Sequence, residues 1–216
     1  MKLVSLNLGL PRDVIWKGKT VTTSIFKEPV DGRVTLRTLN LDGDRQSDLT
    51  VHGGVHKAVY AYPAEHYHDW RRELSGVELP WGMFGENFTV QGLLEDEINI
   101  GDRFRIGSAE LTVAQPRLPC YKLAVKFGRD DIIKRFLDSG RTGFYFAVQE
   151  EGDVGAGDSI EPTSRDVNGL KVADVTRLYI DRDDLDTLRK ALKVDALPDS
   201  WKTHFERQLQ KLRGTD

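Results

Sequence analysis

"GDRFRIGSAELTVAQPRLPCYKL", residues 101–123, changes its backbone period partway along, and that change decides how the chain must fold. Apolar and polar side chains alternate through Arg103 to Ile106, Gly107-Ser108 offers a turn, and "AELTVAQ" resumes the alternation, so the first half reads as a β-hairpin. Pro116 ends the second strand. From Cys120 the spacing turns helical, with Leu123, Phe127, Ile132, Ile133 and Phe136 recurring up to Gly140 as a C-cap. Pro119 fixes φ where the helical period begins, which puts Cys120 in the first helical turn.

The alternating pattern recurs on both sides of this stretch. "KLVSLNL" (2–8), "TVTTSIF" (20–26), "GRVTLRTLNL" (32–41), "HKAVYAYP" (56–63), "GENFTVQG" (85–92), "TGFYFAVQEEG" (142–152) and "GDSIEPTS" (157–164) read as strands. "PAEHYHDWRREL" (63–74) is an inserted helix with Tyr67, Trp70 and Leu74 on one face. Many short strands with glycine-rich turns predict a mostly-β fold over residues 1–165, a closed or nearly closed barrel with a few helices, because closure hides strand edges. "EPTSRDVNG" (161–169) is polar and broken by proline and glycine. Beyond it, residues 166–216 carry three amphipathic segments, the last with Trp201, Phe205, Leu209 and Leu212 on one stripe. They predict a small three-helix bundle packed on itself or on the barrel. Its third helix has no basic surplus, which argues against a helix-turn-helix.

Thirty-one basic and 34 acidic residues leave a net charge of -3, so a general attraction to nucleic acid or anionic lipid is not indicated and any anion site must be local. The amino-terminal stretch reads as a strand and not a signal peptide, and no apolar run approaches the ~20 residues of a membrane span. A single cysteine cannot form an internal disulfide, which fits a reducing compartment and makes the cytoplasm the expected location.

A lone cysteine is more often a small buried hydrophobe than a reactive group. The setting "PRLPC" points the other way: helix-terminal N–H groups, Arg117 and Lys122 all favour the thiolate. Such a thiolate can be a nucleophile served by one of His52, His56, His66, His68 and His204, or a redox sensor that pairs two chains as a homodimer. It can also be a soft ligand to a metal already held in an organic cofactor. One cysteine and scattered histidines lack the spacing of a structural zinc site. In "LDGDRQSDLTVHGGVHKAVYAYP" (41–63), Gly53-Gly54 with His52, His56 and Lys57 can form an anion-binding nest, or simply a turn before a strand. "GMFGENFTVQG" (82–92) sets Glu86 and Asn87 at the mouth of a strand, where a polar turn is the plainer reading. "WKGKTVTT" (16–23) imitates the end of a P-loop, but the first glycine would fall at Asp13, so a hairpin turn is expected there.

Taken in order, "GDRQSDLTVHGGVHKAVYAYPAEHY", "FGENFTVQGL", "GDRFRIGSAELTVAQPRLPCYKL" and "TGFYFAV" resemble the MOSC domain, named for the molybdenum-cofactor sulfurase C-terminus. The helical tail resembles the three-α appendage of stand-alone bacterial MOSC proteins. The resemblance implies a β-barrel-like fold that binds a molybdenum-pterin cofactor, with Cys120 as sulfur ligand to molybdenum. It makes Arg117, Asn87, His52 and Lys57 candidate partners of the cofactor, with Gln46, Asp48, Glu86, Tyr60, Tyr121, Thr142, Gly143 and Tyr145 as second choices near the same pocket. The implied activity is reduction of N-hydroxylated bases such as hydroxylaminopurines. No flavin, haem or iron–sulfur motif is present, so the electrons would come from a partner protein. The alternative is a carrier that delivers the cofactor, or sulfur held on Cys120, to another enzyme. The pyridoxal-phosphate sulfurase domain that accompanies some MOSC domains is not in this sequence, which counts against sulfur transfer.

Overall fold

The computed structural model describes residues 1–48, 53–181 and 183–213. Twelve strands run as β1 Lys2–Leu8, β2 Arg12–Trp16, β3 Lys19–Thr23, β4 Glu28–Pro29, β5 Arg33–Leu36, β6 Val59–Pro63, β7 Phe88–Gln91, β8 Arg103–Ile106, β9 Ala109–Pro116, β10 Phe144–Glu150, β11 Gly152–Gly155 and β12 Ile160–Ser164. Among the described residues six α-helices are interleaved or follow: α1 Glu65–Glu73, α2 Tyr121–Phe127, α3 Ile132–Asp138, α4 Val172–Ile180, α5 Leu185–Ala191 and α6 Asp199–Arg213. None of the described helices is long and apolar enough to cross a membrane.

Eight strands form one sheet in the order β12-β8-β9-β10-β6-β7-β1-β4, while β11-β5 and β2-β3 are separate pairs. Among the described strands of the large sheet only β6 and β7 run parallel, and the crossover between them carries α1, as parallel neighbours require. The sheet curls until its far ends touch: Leu3 N–H donates to Asp158 O at 2.9 Å and Ile160 N–H donates to Met1 O at 3.0 Å. This join is an isolated bridge at Lys2–Ser159, because the other half of the outer β1 edge is already paired with β4. The expected barrel is therefore a curled mixed sheet that stops short of a closed ring.

The hairpin predicted around Gly107-Ser108 is present as β8 and β9, in antiparallel register from Ile106–Ala109 outward. The false P-loop is likewise a hairpin, β2 to β3, turning at Lys17-Gly18 with φ of 50° and 74°; paired positive φ suits the twist of a two-residue hairpin loop. The helical pattern after Cys120 is interrupted. Gly128 takes a left-handed φ of 67° and its N–H returns to Ala124 O, closing α2 before α3 begins. The apolar spacing runs through the break because both helices bury onto the same cluster, with Leu123, Ile132 and Phe136 inside it.

β6 shows how two cores share one strand. Val59 and Ala61 face a core with Leu111, Val113, Phe144 and Phe146, while Tyr60 and Tyr62 face a second core with Trp70, Phe84 and Phe136. The tail helices add Val175, Leu178, Leu188, Trp201 and Phe205 to the first of these cores, so they pack on the sheet. On the predicted α6 stripe, Trp201 and Phe205 are buried, Leu209 is half-buried and Leu212 packs against the core edge. Phe205 is fully buried in this shared core, so Phe205→Ala should lower stability by about 3–5 kcal/mol. Because sheet and tail share the core, near- and far-ultraviolet circular dichroism of the wild type should report one coincident denaturant transition.

Candidate functional site

A cavity of about 100 Å³ opens where β9 hands over to α2. Arg117, Leu118, Cys120 and Lys122 form one wall, and Thr23, Ser24, Ile25 and Lys27, at and beyond the end of β3, form another. Asp44, Gln46 and Ser47 close one side, and Lys57, Tyr60, Gly85, Asn87 and Tyr145 complete the lining.

Cys120 is half-buried and stands just outside the helix, as the N-cap residue with extended φ of -122° and ψ of 168°. The sequence placed it one position further in. Its carbonyl accepts from Leu123 N–H at 2.9 Å, so the thiol sits beside the amide end of α2. Arg117 is almost wholly buried, its guanidinium carbon 5.2 Å from the centre of the Tyr60 ring and 5.0 Å from that of Phe136. Burial works to lower its pKa, but the charges that Tyr60, Tyr145 and Cys120 carry when ionised outweigh it and raise the value overall. Among the described residues the buried Arg117 Nη1 and Ser24 Oγ have no hydrogen-bond partner. Two such orphans lining one cavity mark a place where a polar ligand fits.

The other cations differ in their commitments. Lys122 donates to Ser47 Oγ at 2.8 Å, fastening α2 to the segment around Gln46. Lys27 is clamped on Asp44 at 2.5 and 2.7 Å, and burial nevertheless lowers its pKa against the attraction of that carboxylate. Asp44 also accepts from Gly9 N–H at 2.8 Å and from Asn87 Nδ2 at 3.0 Å. Asn87 therefore sits in the cavity lining as a connector, its Oδ1 accepting from Tyr60 N–H at 3.3 Å. Lys57 lies at the end of the 3-10 turn Val55–Lys57 that follows Gly53-Gly54, and burial lowers its pKa. Burial pushes the phenols of Tyr60 and Tyr145 up, so both stay protonated at neutral pH.

Of the residues singled out in the sequence, Cys120, Arg117, Asn87, Lys57, Gln46, Tyr60 and Tyr145 meet at this cavity. Glu86, Thr142, Gly143, Tyr121 and Asp48 do not line it. Glu86 is fully buried and accepts from Tyr67 Oη, Gly82 N, Phe84 N and Thr89 Oγ1, holding the turn before β7. Thr142 and Gly143 support from behind: the Thr142 carbonyl accepts from Tyr60 Oη, and the Gly143 carbonyl accepts from Arg117 N–H at 3.2 Å. Tyr121 points outward, 56% exposed. His52 lies outside the described residues. His66 is engaged with Glu95 at 2.7 Å, and His68, two positions on, is exposed, as their spacing on a helix requires. Ser24, Lys27 and Asp44 carried no signal in the sequence, because nothing local says that the end of one hairpin and a loop beyond it will face Cys120.

The fold and this site define a class: a curled β-domain with a thiol and several cations at a strand-to-helix corner, followed by three helices. Residues 48–161 match the MOSC domain and residues 172–212 match the "YiiM-like, 3-alpha helix domain". The chain belongs to the MOSC domain family, in the form that continues into the YiiM-like helices. It is 43% identical to the protein YflK of Bacillus subtilis, over 97% of this chain and 95% of that one. It is 37% identical to the protein YiiM of Escherichia coli, over 88% and 84% of the two chains. A protein of Gibberella moniliformis named a reductase is 32% identical over 74% of this chain, which spans 29% of that longer protein. The crystal structure of YiiM from Geobacillus stearothermophilus superposes with a TM-score of 0.81 at 33% identity, covering 96% of this chain and 98% of that one.

Lys126, on the side of α2 next to the cavity wall, donates to the carbonyls of Ile25 and Gly82 at 3.2 Å each, and burial brings its pKa down to about 8. Lysine-selective carbon-13 methylation followed by nuclear magnetic resonance titration should show one methylamine with a midpoint near that value, absent in Lys126→Arg. Between about 8 and the ordinary value of 10.5 the unfolded chain holds this proton more firmly than the folded one. The contribution of Lys126 to stability should therefore rise with pH across that window.

Proposed function

We propose that the protein binds a molybdenum-pterin cofactor in the Cys120 cavity and reduces N-hydroxylated compounds, hydroxylaminopurine-type bases among them, with electrons from a partner protein. The observation that carries the reading is the meeting of a sulfur side chain with two orphaned buried polar atoms, Arg117 Nη1 and Ser24 Oγ, in a cavity also lined by Lys57 and Lys122. A phosphorylated pterin carrying an oxo-metal centre offers acceptors to the orphaned guanidinium and hydroxyl, negative charge opposite the two lysines of the lining, and a metal that prefers a soft thiolate, so the residues fit the group. The relative named a reductase is in keeping with a redox role.

When bound, the cofactor supplies the two-electron chemistry by which an N–OH group loses its oxygen. Cys120 would hold the metal as a thiolate, a form favoured by its place at the amide end of α2 and by Arg117 and Lys122 nearby. Arg117, braced between the Tyr60 and Phe136 rings, presents a fixed fork to an anionic oxygen. The net change takes R–NHOH, two electrons and two protons to R–NH2 and water. Lys57, whose ammonium burial makes more acidic than usual, is the cavity group suited to giving up a proton to the departing oxygen. Tyr145 keeps its proton and can donate a hydrogen bond to the substrate.

Protein purified from a molybdenum-replete host that makes the cofactor should carry molybdenum and pterin, and Cys120→Ala should lose the metal. Equal metal in both would remove Cys120 from this role. Arg117→Ala should weaken cofactor retention by about 1.5–3 kcal/mol, read as roughly ten- to a hundredfold in dissociation. With a chemical electron donor the loaded wild type should reduce 6-hydroxylaminopurine; cofactor bound without turnover would instead establish a carrier.

A further inference from the structure

The indole of Trp201, on α6, donates its Nε1–H to Gln115 Oε1 at 2.8 Å, and Gln115 Nε2 donates to the carbonyl of His56 at 2.9 Å. Both side chains are buried, Gln115 at 5% exposure and Trp201 at 8%. His56 is the middle residue of the 3-10 turn, and the next residue, Lys57, lines the cavity. Gln115 stands on β9 two residues before Arg117. We infer that Trp201 is a positioning residue of this cavity: through the Gln115 amide, the carboxy-terminal helix sets where the turn at 55–57 lies and so where Lys57 is presented.

The chemistry of the three groups makes the link directional. A carbonyl only accepts and an indole only donates, whereas a primary amide has one end of each kind. The His56 carbonyl demands Nε2, the Trp201 indole demands Oε1, and together they admit one orientation of the Gln115 amide. If the indole N–H is lost, Oε1 becomes a buried acceptor with no donor, and the His56 carbonyl alone is left to hold the amide in its orientation. The turn's own bond, Lys57 N–H to Gly54 O at 2.9 Å, is internal and does not fasten it to the sheet. The turn packs against β9 and β10, and the Gln115 side chain is a hydrogen-bonded tie to it from β9. The inference stands on the geometry of the cavity and not on what fills it.

Two conservative variants test the link in the purified full chain. Trp201→Phe keeps the aromatic packing and removes the donor; Gln115→Met keeps the volume and removes both bonds. Amide hydrogen exchange at residues 53–58 and the acylation rate of Lys57, each resolved by mass spectrometry, read the turn directly. Both variants should change Lys57 acylation and quicken exchange at 53–58 by about fivefold, the worth of one ordinary hydrogen bond, while β9 and β10 stay protected. The double variant should go no further than the stronger single one. Unchanged turn exchange and Lys57 reactivity in either folded variant would overturn the inference, as would loss of protection spread evenly over sheet and tail. Should Trp201→Phe not fold, Gln115→Met alone decides the matter by the same two readings.

Discussion

β9 is held on both edges and both faces, and the cavity inherits its rigidity. β8 pairs with its first half, Ala109 to Thr112, and β10 pairs from Glu110 to Pro116; one of its faces enters the core shared with the tail helices, and nearly every one of its residues is buried. A strand so confined cannot slide, since a shift of one residue would turn every side chain to the wrong face. The chain beyond it is therefore delivered to a fixed point. Pro116 and Pro119 leave little freedom between strand and helix, so Arg117 and Cys120 leave the sheet in a set relation to each other.

Charge around this corner is arranged for geometry more than for stability. Lys27 and Asp44 form a buried pair in which the loss of hydration outweighs attraction at the lysine, as its lowered pKa records. A buried pair of this kind contributes little net stability, yet removing one partner strands the other. What it secures is a wall: Asp44 ties together Gly9, Lys27 and Asn87, and Asn87 reaches the backbone of Tyr60. Arg117 is the contrast. Its backbone is anchored by Gly143 and its charge is cradled by rings, while Nη1 has no hydrogen-bond partner among the described residues.

Much of the architecture was legible because it rests on local patterns. The hairpin at Gly107-Ser108, the strand at 2–8 and the amphipathic α1 follow from periods of two and 3.6 residues, each of which needs only neighbours to be read. The split of the helix after Cys120 was not, because Gly128 interrupts the backbone while the apolar spacing runs on toward a common cluster. Of the site, Cys120, Arg117 and Lys57 stood out as charged or reactive groups beside turns. Glu86 stood out for the same reason but folds inward, where backbone and hydroxyl donors saturate its carboxylate.

The sequence by itself determined most of the elements, the position of the one thiol at a strand-to-helix junction and the condition that any anion site in a slightly acidic chain be local. Only the tertiary structure decided that the sheet would stop short of a ring, that Ser24 and Lys27 would line one cavity with Cys120, and that a tryptophan of the last helix would be tied through Gln115 to the turn that ends at Lys57. The physical reason is sequence distance. Periodicity and turn chemistry act over a few residues, whereas the contacts that build the cavity join segments tens of residues apart, and these are settled only when two cores and a curled sheet are packed together.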